Sequence, residues 1–372
     1  MTTTTKKRQN DLLDKQILNL VQSHFPLAER PYQVMAEELG TTEEDLIKRI
    51  ARQKKANVIR QVSAIFDTRR LGYKTMLVAF RCPKGTLEKA ARHINKHPGV
   101  SHNYARNGRF NLWFTIAVPG YDDIEQVVNR MAEEVGAETS RMMPTIRFFK
   151  IGVNFDMVKE EGAAYEYFSP DGYGRKGSAQ MKQPEISKDW NKAVSISDRD
   201  IEIIRELQED LPLDVRPFDA MAERLGMTVQ ELFAWAEEAV ERQIMRRFSA
   251  VLYHRKAGFH SNAMAVWRVP EERSDEVGLK MAESPWVTHC YQRPTFPDWP
   301  YSHFAMIHAT TEGQCEEVAK ELSEATGIDD YMLLYSTREY KKTRVRYFVE
   351  HEMQGEAGPA LSNSRTAVGS KK

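Results

Sequence analysis

From Asp11 onward, apolar positions return every three or four residues. DLLDKQILNLVQSH (11–24) keeps this spacing and DRDIEIIRELQED (198–210) repeats it much later, which predicts an amphipathic helix at each place. A shorter helix follows each, PYQVMAEELG (31–40) and PFDAMAERLG (217–226), closed by a glycine at its C-terminal end. Thr42 and Thr228 are the expected N-caps of a third helix. The pattern then changes to VIRQVSAIF (58–66) and IMRRFSAVL (244–252), read as strands. Three short helices followed by a strand describe a winged helix-turn-helix.

Beyond it the first copy alternates. YKTMLVAFR (73–81) reads as strand, TLEKAARHINKH (86–97) as helix and VSHNYAR (100–106) as strand. FNLWFTIAV (110–118) is a further strand, DDIEQVVNRMAEEVG (122–136) a helix, and TIRFFKI (145–151) a last strand. That order, β-α-β-β-α-β, is the ferredoxin-like sandwich, and the second copy repeats it from Ser261 to Phe348.

The whole unit is written twice. Asp14, Pro26, Pro31, Leu39-Gly40, Arg60, Ser63-Ala64 and Gly72 recur 186 positions later as Asp200, Pro212, Pro217, Leu225-Gly226, Arg246, Ser249-Ala250 and Gly258. A tandem duplication follows. The fold class is α+β, a duplicated winged helix-turn-helix plus ferredoxin-like sandwich. The breaks place a disordered start at 1–10, helix-turn-helix units at 11–62 and 196–248, and sandwiches at 63–156 and 249–350. Between them SPDGYGRKGSAQMKQPE marks a flexible linker at 157–195, and the tail 351–372 is expected to be disordered.

Composition bears on function more than on fold. Lys plus Arg balances Asp plus Glu at 53 each, so no net field draws the chain to nucleic acid or an anionic membrane. No apolar run approaches the roughly 20 residues of a membrane span. The start MTTTTKKRQN has no apolar stretch behind its lysines, which argues against a signal peptide. Cys82, Cys290 and Cys315 are few, odd in number and without metal spacing, so a cytoplasmic location is expected. Cys82-Pro83 has the form of a haem-regulatory motif, and a strand ending in a turn accounts for it equally well.

The chemistry concentrates in a duplicated triplet. His102, Tyr104 and Arg106 match His289, Tyr291 and Arg293, and residues two apart on a strand share a face. A structural strand normally covers that face with apolar residues, not with an imidazole and a guanidinium. Arg246, Arg247, His254, Arg255 and His260 could converge on the second-copy strand. His303 and His308 fall on opposite faces of the next strand, so only one of them can face a given pocket. The second copy alone carries PTFPDWPY (294–301), where Phe296, Trp299 and Tyr301 offer an aromatic wall. Aromatics beside arginines suit a large, flat, polyanionic ligand. No Walker loop, dinucleotide glycine pattern, zinc spacing or nucleophile elbow competes for the role.

The architecture resembles the Lrp/AsnC transcription factors, whose sandwiches pair as dimers, and two copies in one chain would build that dimer internally. A ligand-responsive regulator is therefore one reading. Its third helices argue against DNA: TTEEDLIKRI opens with three acids, and TVQELFAWAEEAV has three glutamates and no base. More specifically, RRFSAVLYHRKAGFHSNAMAVW followed by HCYQRPTFPDWPYSHFAMIHA resembles the siroheme decarboxylases, Lrp/AsnC-like proteins that usually work as two paralogous subunits. The resemblance spans roughly residues 11–350 and implies both subunits fused in one chain. It implies removal of the carboxyl groups of the C12 and C18 acetate arms of siroheme, giving 12,18-didecarboxysiroheme in haem or haem d1 biosynthesis. No cofactor beyond the iron-tetrapyrrole substrate is then expected. His289 is assigned as acid/base residue, Arg293 as carboxylate clamp, and Tyr291 as orienting group. Arg246, Arg247, Arg255, His260, Trp299, Tyr301, His102 and Arg106 are assigned to substrate binding. His254 and His289 each remain open as proton donor or axial ligand of the substrate iron. A non-catalytic tetrapyrrole carrier and further association of whole chains also stay open.

Overall fold

The computed structural model describes residues 3–23, 25–154, 157–158, 166–169, 172–175, 192–252, 261–309 and 311–349. In each copy three helices precede a strand: α1 (Thr3–Ser23), α2 (Pro31–Glu38), α3 (Glu43–Lys55) and β1 (Ile59–Phe66) in the first. The sandwich follows with β2 (Tyr73–Arg81), α4 (Leu87–Ile94), β3 (Val100–Arg106), β4 (Leu112–Pro119), α5 (Ile124–Val135) and β5 (Thr139–Met143). Then come β6 (Arg147–Asn154), β7 (Glu166–Ser169) and β8 (Gly172–Arg175). The second copy runs α6 (Asp198–Leu207), α7 (Asp219–Arg224), α8 (Val229–Glu241) and β9 (Met245–Leu252). Its sandwich is β10 (Ser261–Trp267), α9 (Ser274–Ala282), β11 (Val287–Gln292), β12 (His303–Ala309), α10 (Glu312–Thr326) and β13 (Tyr331–Lys342).

Local chemistry explains the helix ends. Thr42 accepts a hydrogen bond from Asp45 N, and Thr228 forms a capping box with Glu231. Gly40 and Gly226 take the left-handed conformation just past α2 and α7. α1 starts at Thr3, so most of the first ten residues, expected to be disordered, are helical.

The two copies are interleaved. β1 pairs antiparallel with β9, with Ser63 opposite Ser249. Because these serines are repeat equivalents, a pseudo-two-fold axis passes between them. The expected boundaries at 62/63 and 248/249 therefore cut through one shared sheet. Both helix-turn-helix units and this sheet bury a single core, from Ile17 and Leu46 to Leu232 and Phe248.

The other strands form an eleven-stranded sheet ordered β5-β2-β4-β3-β13-β10-β12-β11-β6-β7-β8. Each sandwich keeps its ferredoxin-like order, β5-β2-β4-β3 and β13-β10-β12-β11. TIRFFKI, expected to complete the first sandwich, instead supplies β6, which crosses to pair with β11. β5, just before Pro144, closes the first sandwich in its place. β13 makes the reciprocal exchange, pairing with β10 through Tyr335 and with β3 from Ser336 on. Phe149 of β6 is buried in the second-copy core, against Gly278 of α9. Part of the expected linker is also ordered, because β7 and β8 extend this sheet beyond β6.

Candidate active site

β3 carries the first triplet and β11 with the residue after it the second, and the extended chain turns His289, Tyr291 and Arg293 to one face. Their cross-strand neighbours Met306 and Phe304 belong to the apolar layer between the sandwiches, so this face looks toward the other copy. His308 lies on the same side of β12. His303 lies on the opposite side, where Ser274 O is 2.9 Å from its Nε2 and Phe149 stacks on its ring. His308 is thus the member of that pair that joins the site.

The histidines share one electrostatic neighbourhood. Burial pushes His102 down to about 3, and Lys342, His289 and Arg60 add to the effect. Burial pushes His289 down to about 4, followed by Lys342, Arg246, Lys150 and Arg293. His308 falls to about 3 through burial, then Lys342, His289 and Arg106. The triplets of the two copies therefore meet in one site, and their imidazoles are neutral. Burial among cations disfavours the imidazolium at all three.

A hydroxyl fixes their orientation. Thr288 Oγ1 is 3.0 Å from Nδ1 of His289 and 3.0 Å from Nδ1 of His308, and donates to Met306 O at 3.2 Å. One hydroxyl thus bridges the two rings at Nδ1 and holds both in place. Around His102 the same part is played by Ser101 Oγ at 2.9 Å and Thr115 Oγ1 at 3.3 Å.

The arginines do two jobs. Arg293 donates Nη1 to Met143 O at 2.6 Å, and Arg106 donates Nη1 to Leu334 O at 2.8 Å. Met143 and Leu334 pair with the repeat equivalents Leu77 and Met264, so each arginine holds the other copy's C-terminal strand where it leaves its own sandwich. Each also sits on its tyrosine, Arg293 at 4.9 Å from the Tyr291 ring and Arg106 at 5.5 Å from Tyr104. Neither has a carboxylate partner among the described residues, and both Nε atoms are buried without a hydrogen bond. Burial lowers both guanidinium values to about 10. Cations left in this condition call for an anion.

The half-sites differ in charge. Beside Tyr291 stand Arg246 and Arg69, of which Arg246 holds Asp67 at 2.6 Å. Beside Tyr104 stands Glu339, 3.4 Å from Arg60. The second-copy side thus carries three arginines against one acid, and Arg69 reaches it from the first copy.

Other expected residues fall elsewhere. Arg247 donates Nε to Ser249 Oγ at 2.8 Å, near the pseudo-two-fold axis. Trp299 is only 4% exposed and packs 5.3 Å from Trp113 and 5.6 Å from Phe110. Asp298 of the same insertion binds Arg141 at 2.8 Å. PTFPDWPY therefore braces the two sandwiches, with Phe296 under the Arg141 guanidinium and Tyr301 raised in pKa by burial and then by Asp330. His254, Arg255 and His260 lie outside the described residues. Cys82 is a buried thiol pushed up to about 11 by burial. Among the described residues no group of three or more His, Cys, Asp or Glu gathers to hold a metal.

Sequence reading missed Arg69 and Lys342 and left His308 undecided. Arg69 sits after a wing strand whose pairing across copies was not legible. Lys342 enters through the β13 exchange and stands opposite His102. Arg49 is held by Asp14 and Asp45, Arg52 by Asp14, and α8 (VQELFAWAEEAVE) has no base. Among the described residues no helix is long and apolar enough to cross a membrane.

Residues 14–60 and 200–246 match a siroheme decarboxylase NirDL-like HTH domain, and residues 70–150 and 256–341 match an AsnC-like ligand binding domain. A siroheme decarboxylase of Hydrogenobacter thermophilus is 39% identical over 90% of this chain and 94% of its own length. The siroheme decarboxylase beta subunit of Methanosarcina barkeri is 46% identical over 40% of this chain and 97% of its own length. A crystal structure of the siroheme decarboxylase NirDL in complex with an iron-uroporphyrin III analogue has a TM-score of 0.66 and 33% identity. It covers 92% of this chain and 96% of that one.

Proposed function

This chain belongs to the siroheme decarboxylase family, and we propose that it removes the carboxyl groups of the C12 and C18 acetate arms of siroheme, giving 12,18-didecarboxysiroheme. The observation that carries the substrate is the pair of buried guanidinium groups, Arg106 and Arg293, without carboxylate partners among the described residues, around a shared set of histidines. A macrocycle with eight carboxylates supplies the missing anions.

Loss of carbon dioxide leaves an electron pair that flows into the pyrrole. Protonation of a ring carbon provides the sink, a second proton completes the methyl group, and the ring carbon then gives up its proton to restore the pyrrole. Each arm thus exchanges one carbon dioxide for one proton, and no redox cofactor is needed. His289 is the acid/base residue, oriented through Nδ1 by Thr288, and Arg293 with Arg246 and Arg69 holds the reacting and neighbouring carboxylates. The substrate's charges would offset Lys342 and the arginines and raise the imidazole toward the range where it can carry a proton. His289 can alternatively ligate the substrate iron, in which case His308 or His102 takes the proton. The product belongs to haem or haem d1 synthesis in this reading.

Anaerobic incubation with siroheme followed by mass measurement tests it. The product should be lighter by two carbon dioxide units. Unchanged siroheme returned after tight binding would make the chain a carrier, and a salt-sensitive shift of promoter DNA would make it a regulator.

A further inference from the structure

A second group of cations lies where β1 meets the segment that follows β13. A cavity of about 370 Å³ opens there, lined by Arg60, Gln61, Asp210, Arg344, Arg346 and Tyr347 among others. That volume is at the low end for small-molecule sites, about 300–1,000 Å³, so it admits part of a macrocycle rather than the whole. Arg344 anchors one side by donating Nη1 to Ser63 Oγ at 2.8 Å and Ala64 O at 2.9 Å, while its Nη2 is buried without a partner. The nearby acids are already engaged: Asp210 binds Lys54 at 2.8 Å, and Glu209 pairs with Arg346. Across the Ser63–Ser249 pair stands Arg247, a second positive charge beside Arg344. Burial and then Arg247 bring the Arg344 guanidinium down to about 9. Arg60 links this cavity to the His102 side of the site.

We infer that this cavity is a carboxylate subsite in which Arg344 Nη2, flanked by Arg247 and Arg60, grips a non-reacting propionate arm of the tetrapyrrole. The inference rests on the siroheme reading above. A guanidinium anchored through Nη1, with Nη2 buried and unpartnered, has one nitrogen left for one end of a carboxylate and little side-chain entropy left to lose. The subsite would fix which edge of the macrocycle lies at the histidines. Arg344 is thus a positioning residue for substrate rather than a catalytic one.

The test uses the full chain and two iron porphyrins: iron-uroporphyrin III, with acetates and propionates, and iron-coproporphyrin III, with propionates only. Dissociation constants come from absorbance titration. Arg344→Met should weaken both about ten-fold or more, the usual size of a lost charged hydrogen bond. It should also raise KM for siroheme far more than it lowers kcat. Arg344→Lys should recover part of the affinity, and its unfolding midpoint checks that the fold survives. Weakening of the uroporphyrin alone would assign the subsite to an acetate and overturn the inference. Unchanged affinity for both, with inorganic phosphate stabilising wild type but not Arg344→Met, would make it a free-anion site and overturn it too. Either result leaves decarboxylation by the wild type intact, whereas a wild type that returns siroheme unchanged rejects the functional reading itself.

Discussion

At the residue scale, identical triplets in unlike surroundings do unlike work. His289 stands among Arg246, Arg293 and Lys150, and Thr288 ties it to His308. His102 stands near Arg60, whose partner Glu339 adds a negative charge on that side. His289→Ala should therefore slow single-turnover decarboxylation by about 10²–10⁴, the usual share of a general acid, and His102→Ala should cost less. Full activity in the former, or total loss confined to the latter, would move the chemistry to the first copy. Arg293→Ala should weaken binding and turnover together, and should also lower the unfolding midpoint because Met143 O loses its donor. The neutral histidines carry a pH signature as well. Each binds a proton less readily folded than unfolded, where its value is about 6.5. Falling pH therefore protonates the unfolded chain first, and stability should decline from about pH 6.5 and level off at about 3. Asp67 and Asp200, held below the usual carboxylate range, contribute their loss lower down. Urea midpoints at pH 7 and pH 5 isolate the imidazoles. The difference should shrink in a His102→Gln/His289→Gln chain, and equal midpoints in wild type would reject the assignment.

At the scale of elements, periodicity foretold most of the strands and helices but not their partners. Alternation says which face of TIRFFKI is apolar and nothing about which sheet receives it. A local trace of the exchange is Gly278 in α9, where an added Cβ would lie 2.3 Å from the Phe149 ring. A glycine inside a helix otherwise costs about 1 kcal/mol relative to alanine, so its presence has to be explained by packing. Gly278→Ala should destabilise the chain by about 1–3 kcal/mol through overpacking. Were β6 part of the first sandwich, the same change would be neutral or stabilising, so the sign of the shift in unfolding midpoint decides. The hairpin β7–β8 shows a similar limit. Asp171-Gly172 is a turn signal flanked by Tyr167, Phe168 and Tyr173, yet the glycines and lysines around it read as linker. Trp299 reads from sequence as part of an aromatic wall for a ligand. Its burial against Trp113 depends on how the two sandwiches meet, which no local pattern encodes.

At the scale of the molecule, the duplication made a pseudo-dimer readable from spacing alone, but not how strongly its halves are joined. Three structures tie them: the β1–β9 sheet, the exchanged strands β6 and β13, and one core under both helix-turn-helix units. Separating the copies would leave strand edges without partners and expose the apolar surface of a cut core to water. The linker adds little to this, since it closes a loop whose entropy changes slowly with length. The candidate site shares the arrangement, because Arg69 of the first copy stands beside Tyr291 of the second and Lys342 of the second stands opposite His102 of the first. Proteolytic cleavage between Arg175 and Lys192 should accordingly leave both fragments eluting together at the size of the uncut chain in dilute buffer, with siroheme turnover largely kept. Separation should need urea near the unfolding midpoint, and activity should vanish in the same step. Fragments that part on dilution while each stays folded would show that the exchange does not hold the copies together.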